Sequence, residues 1–145
     1  MFKKAFTLVE LVIVVVMIGI LSALAIPNLS YYKEKAHESS FLLDYESFER
    51  SVELLKQSRT RQIDDTVFSV VADSDSVMRL QSPQPLNEYY CTLLLRDFIG
   101  VTDNEIGDGK SWLVESRDEN CHYTDIRNSQ YPRTFMFNSS LELAL

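Results

Sequence analysis

From Phe6 to Ile26 the chain carries a single charge, Glu10, and the sixteen residues from Leu11 to Ile26 carry none. As a helix rising about 1.5 Å per residue, this block would be about 31 Å long, close to the roughly 30 Å hydrocarbon thickness of a bilayer. Lys3 and Lys4 precede it, whereas beyond it Lys33 and Lys35 are balanced by Glu34 and Glu38. The positive-inside rule therefore keeps the short N-terminus in the cytoplasm and sends the rest of the chain across the membrane. Ser22, Ala23 and Ala25 could imitate a signal-peptidase site. Against that reading, the apolar core is longer than a secretory signal needs and an amphipathic pattern continues past it.

Glu10 is the anomaly in this block. A carboxylate in lipid costs a few kcal/mol, about 2.5 to 3.5 on insertion scales, and usually marks a functional partner. A cut just before Phe6 would supply one, because the new amino terminus would lie four residues away and carry a positive charge.

The remainder of the 145-residue chain, from Pro27 onward, has 12 Lys or Arg against 20 Asp or Glu. Duplex phosphates need concentrated positive charge, so no general nucleic-acid binding is expected. Arg59, Thr60 and Arg61 form the densest basic run and read as a solvated helix end. The cysteines, Cys91 and Cys121, lack the Cys-x-x-Cys or spaced-histidine context of a zinc site. An even count in an exported domain predicts one disulfide. Two buried free thiols are the alternative if the domain stays in the cytoplasm.

The run Lys3-Lys4-Ala5-Phe6-Thr7-Leu8-Val9-Glu10-Leu11, followed by a β-branched apolar span and Pro27, resembles the class III signal of type IV prepilins and the related type II secretion pseudopilins. The resemblance covers about 25 residues. It implies that a prepilin peptidase removes the leader, residues 1–5, cutting between Ala5 and Phe6 on the cytoplasmic side and N-methylating Phe6. Ala5 departs from the Gly usual before the cut, which could slow processing. The resemblance also implies that Glu10 aligns an incoming subunit with the N-terminal amine of its neighbour. Residues 6–27 would form the membrane and fibre-core helix, and 28–145 a pilin-like head. Gly19 and Pro27 are the weak points of that helix, since Pro27 lacks an N–H and crowds the carbonyl of Ala23, predicting a kink.

From Asn28 to Ser58 there is no Gly or Pro, and Phe41, Tyr45, Phe48, Val52 and Leu55 recur at helical spacing. They predict a core-facing stripe, with Glu38, Asp44, Glu46, Glu49, Arg50, Glu53 and Lys56 on the opposite, solvated face. Thr66 to Ala72 reads as a strand and Val77 to Leu80 as a weaker one. Asn87 can cap a helix over Glu88 to Ile99 that stops at Gly100, although Tyr-Tyr-Cys-Thr-Leu-Leu-Leu also suits a strand. Asp103 to Lys110 reads as a loop. Ser111 to Ser116, Cys121 to Ile126 and Arg133 to Asn138 predict an antiparallel meander. The fold class expected is α+β, a long N-terminal helix packed on an antiparallel sheet, with Trp112, Tyr123, Phe135 and Phe137 as core candidates. The Cys-x-Tyr strand followed by Arg-x-Phe-x-Phe-Asn is loosely similar to minor pilins of the mannose-sensitive haemagglutinin type. Thr92 to Asn120, bounded by the cysteines, is the candidate variable surface.

His37 and His122 are far apart in sequence, and adjacent acids such as Asp64 with Asp65 or Asp118 with Glu119 point to different sides of a strand or helix. No catalytic constellation is present in the sequence, so no enzyme, cofactor or metal is expected. The reading that follows is a structural subunit of a type IV pilus, anchored in the bacterial inner membrane with a periplasmic head until it polymerises into a surface fibre for adhesion or motility. Its partners would be the prepilin peptidase and other pilin subunits. The alternatives are a type II secretion pseudopilin and a single-pass anchored binding module. Calcium marks many major pseudopilins, and Asp103, Glu105 and Asp108 are the only clustered acids that could supply its oxygen ligands.

Overall fold

A computed structural model of the chain describes residues 6–64, 66–81, 85–128 and 130–145, without the side chains of residues 26–28. The chain divides into two compact units, one through Glu38 and one from Ser39 to Leu145. The first helix, α1 (Leu8–Ser58), supplies residues to both.

In the first unit the part of α1 before residue 26 is apolar on every face apart from Glu10. Leu8–Ala25 has a mean hydropathy of 2.8 and none of it is buried. Helical backbone continues through positions 26 to 28, so Pro27 does not end the helix. The predicted kink at its ring concerns side chains outside the described residues.

In the second unit the expected stripe is the core. Phe41, Phe48, Val52 and Leu55 are buried and Tyr45 packs against them. Arg59 ends α1 in the left-handed conformation (φ 56°) usually taken by glycine, its N–H bonding back to the Leu55 carbonyl at 2.8 Å. This reversal starts β1 (Thr60–Ile63) at once, where the sequence reading had only a solvated helix end. β1 pairs antiparallel with β2 (Thr66–Ala72), and β2 with β3 (Met78–Gln81). Phe68, Val70 and Leu80 enter the core, while Val67 and Val71 remain outside, the alternation of a strand with one face covered.

α2 (Glu88–Ile99) settles the helix-or-strand question in favour of the helix. Asn87 Oδ1 accepts from the Tyr90 N–H at 3.0 Å, and Gly100 (φ 74°) donates its N–H to the Arg96 carbonyl. Tyr90, Cys91, Leu93, Leu94, Leu95 and Phe98 are buried. Within the candidate variable segment Thr92 to Asn120, the α2 side chains Leu93, Leu94, Leu95 and Phe98 together with Trp112 and Val114 are buried. Its most exposed stretches are the part around residues 102–110, including a short 3-10 turn at Asp103–Glu105, and the hairpin tip at Arg117–Glu119.

β4 (Trp112–Arg117), β5 (Asn120–Asp125) and β6 (Arg133–Phe137) form the predicted meander. The pair β7 adds, Leu143–Ala144, is too short to read from sequence. Phe48 sits within 4.9 to 5.4 Å, ring centre to ring centre, of Phe98, Tyr123, Phe135 and Phe137. Such tilted aromatic contacts each add about 0.5 to 1.5 kcal/mol beyond area burial. β3 meets the turn that follows β6 through the Leu80 N–H, which bonds the Ser139 carbonyl at 2.6 Å. The architecture is α+β, as expected, although it contains two small sheets.

Candidate functional site

The start of α1 is built from a Thr-x-x-Glu sequence. Thr7 Oγ1 accepts from the Glu10 N–H at 3.3 Å, and Glu10 Oε2 accepts from the Thr7 N–H at 3.2 Å and the Thr7 hydroxyl at 3.0 Å. This reciprocal capping box satisfies two of the helix's first donors and places a carboxylate where the helix dipole is positive. Glu10 therefore has local partners in the uncut chain and does not need a cation there. Phe6 precedes the box and is 77% exposed. Ala5 lies outside the described residues, so the proposed cut is framed by the structure on one side only.

Below the box, Val9 and every large apolar side chain from Leu11 to Leu24 are half or more exposed. A continuous apolar cylinder of this extent requires lipid or other apolar helices around it. Gly19 lies inside the cylinder, and a Cβ there would meet nothing within 4 Å. Packing within the chain therefore gives no reason for glycine at this position. One turn on, the Ser22 hydroxyl bonds back to the Ile18 carbonyl at 2.7 Å, an interaction that slightly loosens helices. Gly19 and Ser22 thus put two helix-weakening residues within one turn of the apolar helix.

In the head, Cys91 and Cys121 form the disulfide, with Cα atoms 5.4 Å apart. It joins α2 to β5 and both residues are fully buried. The Tyr123 hydroxyl donates to the Cys91 carbonyl at 3.1 Å, and burial pushes its pKa well above the usual phenol value. The acids of residues 103–108 serve other ends. Glu105 accepts from the Thr102 N–H at 2.9 Å and its hydroxyl at 2.8 Å, bonds that hold the carboxyl below the usual range. Asp103 pairs with Arg96 at 3.3 Å. Among the described residues no three His, Cys, Asp or Glu side chains converge as metal ligands.

The sequence reading missed a cluster around Arg127. Asp44, expected on a solvated face, receives Arg127 Nη2 at 2.7 Å, and Asp125 receives Nη2 at 2.6 Å and Nε at 2.9 Å. Arg127 Nη1 reaches the Ser40 hydroxyl at 3.1 Å, and the guanidinium lies 5.3 Å from the centre of the Trp112 ring. Asp125 is the one buried charged residue among those described. Its only advance signal is the alternation of β5, which turns Cys121, Tyr123 and Asp125 to the same side.

Residues 1–26 match the family model for the prokaryotic N-terminal methylation motif. The chain is similar to type II secretion system core protein G of Pectobacterium carotovorum subsp. carotovorum, at 36% identity over 59 residues, which is 41% of this chain and 38% of that protein. The protein of the same name in Escherichia coli (strain K12) is 37% identical over 54 residues, 37% of each chain. That of Vibrio cholerae serotype O1 (strain ATCC 39315 / El Tor Inaba N16961) is 31% identical over 87 residues, 59% of this chain and 56% of that one. The chain thus spans between about two-fifths and somewhat over half the length of these relatives. No solved structure gives a significant match.

Proposed function

We propose that this chain is a non-enzymatic fibre subunit of the type II secretion kind, a member of the type IV pilin and pseudopilin family whose N-terminal motif it shares. In this reading a prepilin peptidase cuts between Ala5 and Phe6 and methylates Phe6. The apolar half of α1 waits in the inner membrane and then moves into the core of a short periplasmic fibre. Glu10 changes partner on assembly, from Thr7 of its own capping box to the Phe6 amine of a neighbouring subunit. Gly19, Ser22 and Pro27 mark the stretch where the helix yields as subunits pack.

The observation that carries this reading is the joint presence of the methylation motif and of relatives named as core protein G. They favour the secretion alternative over the pilus subunit that the sequence suggested first. A type IV pilus subunit is the second reading, favoured by the loose similarity of the Cys-x-Tyr strand and the Arg-x-Phe-x-Phe-Asn run to minor pilins.

Intact-mass analysis of inner-membrane and sheared-surface fractions separates the two. The secretion reading expects a chain beginning at methylated Phe6 that is confined to the cell envelope. The same species abundant in sheared surface fibres would establish the pilus. An uncut chain beginning at Met1 would overturn both and leave a simple anchored domain.

A further inference from the structure

Calcium is the metal that the pseudopilin resemblance suggests, so its fit can be tested on the oxygen donors of the head. Residues 103–108 do not fit it: Glu105 is held by Thr102 and Asp103 by Arg96. The set that does resemble a hard-cation site is elsewhere. Both oxygens of Asp125, one of Asp44 and the Ser40 hydroxyl surround the Arg127 guanidinium, meeting its Nε, Nη2 and Nη1. Oxygen ligands of this type, carboxylates with a neutral oxygen, are those calcium selects.

We propose that Arg127 is the resident cation of an oxygen site made by Ser40, Asp44 and Asp125, taking the place of a bound divalent ion in fixing the chain after β5 to α1. Several features make the guanidinium suited to this. Its planar fork meets Asp125 through two parallel bonds, and a second edge remains for Asp44 and Ser40. The Arg127 N–H adds a further bond to Asp125 Oδ1 at 3.0 Å, so the backbone is secured together with the side chain. The Trp112 face lies over the cation and Asp125 is only 6% exposed, while the Arg127 and Asp44 side chains are each 27% exposed, so the cluster is partly shielded from solvent. The Asp125 and Asp44 bonds raise the Arg127 pKa further above its already high value, so the cation does not leave with pH. An ion in solution comes and goes with its concentration, whereas this one is covalently part of the chain.

Two consequences follow. The head needs no calcium to hold its C-terminal part in place. Removing the guanidinium leaves two carboxylates facing one another with a hydroxyl beside them, a site that a divalent cation can fill. The inference concerns the head alone and holds whichever fibre the subunit joins.

The test is thermal unfolding of the full chain in detergent, with calcium chloride or with EDTA, at matched ionic strength. The parent protein should show the same Tm in both. R127A should melt about 5 to 10 °C lower in EDTA, the order expected when one partner of a partly buried charge cluster is lost. Calcium chloride should raise the R127A Tm by about 5 °C at saturating concentration, and D44N/R127A should lose that response. If R127A does not fold, R127Q, whose amide fills part of the same space, carries the same comparison. A parent Tm that falls in EDTA overturns the proposal. So does an arginine variant that folds and ignores calcium, or one whose calcium response survives in the double variant.

Discussion

The two halves of α1 both carry apolar side chains but use them in opposite ways. Along Leu8–Ala25 nothing is buried, whereas from Ser39 onward Phe41, Phe48, Val52 and Leu55 are each 2% exposed or less. The difference lies in distribution, since apolar side chains surround the first half and form a single stripe on the second. A stripe finds its partner within the same chain, while a cylinder must find lipid or other helices outside it. Changes in the first half should thus be read in assembly, and changes in the second in folding.

The largest effect expected from this contrast is at Glu10. Glu10→Val removes the carboxylate that a neighbouring amine would neutralise but retains helix and hydrophobicity. The variant should be processed and membrane-bound, yet enter fibres about tenfold less or worse, in line with the worth of a charged hydrogen bond. Fibre content measured against membrane content checks this. Normal incorporation would show that the cylinder needs no charge alignment, and the contrast between the halves would then rest on apolar packing alone.

Phe48→Ala makes the complementary break. It empties the place where Phe98, Tyr123, Phe135 and Phe137 meet, and truncations of this kind cost about 3 to 5 kcal/mol. Chemical unfolding should show the loss, whereas membrane insertion should be unchanged. The paired change Cys91→Ser with Cys121→Ser should cost a similar or slightly smaller amount. The closed loop of 30 residues corresponds to about 3 to 4 kcal/mol in the chain-entropy account. Comparing this variant with the parent under reducing conditions checks that figure, since reduction should bring the parent to the same midpoint.

What was legible in the sequence follows the same division. The cylinder, the stripe, α2 and the three-strand meander could all be read, because each is announced by local periodicity or by a cap such as Asn87 and Gly100. β1 could not, since Thr60 to Ile63 has a single apolar residue and follows directly on Arg59, an arginine in a glycine conformation. Leu141 is similar: a buried side chain at φ 61° whose turn is held by its N–H on the Asn138 carbonyl at 3.1 Å. The Arg127 cluster was hidden for another reason. Asp44 and Arg127 are 83 positions apart, and no spacing rule joins a helix acid to an arginine after a strand. The division into 6–27 and 28–145 followed apolarity, whereas compactness places the head's beginning at Ser39.

A smaller effect is expected at the α2 cap. Asn87→Ala should cost about 1 kcal/mol, the usual value for losing an N-cap acceptor, here the one for the Tyr90 N–H. The loss should appear in the unfolding midpoint of the head and leave fibre entry unchanged as long as the head stays folded.

The subtlest test uses a repetition in the sequence. Thr7-x-x-Glu10 and Thr102-x-x-Glu105 build the same box, one at the head of the apolar cylinder and one on the exposed surface of the folded domain. If Glu10 matters for assembly only because it caps a helix, Glu105→Gln and Glu10→Gln should be equally mild. If its role is to meet a neighbour's amine, Glu105→Gln should be nearly silent in assembly while Glu10→Gln is not. The head box carries its own pH signature. Glu105 has its carboxyl held low by the Thr102 N–H and hydroxyl, so in the folded state it binds its proton less readily than in the unfolded chain. Its contribution is thus fully present above the unfolded carboxylate pKa and is lost as pH falls through the lower folded value. Parent and Glu105→Gln should differ slightly in midpoint at neutral pH and converge in acid, and a difference that grew on acidification would mean that the Thr102 bonds do not favour the charged form.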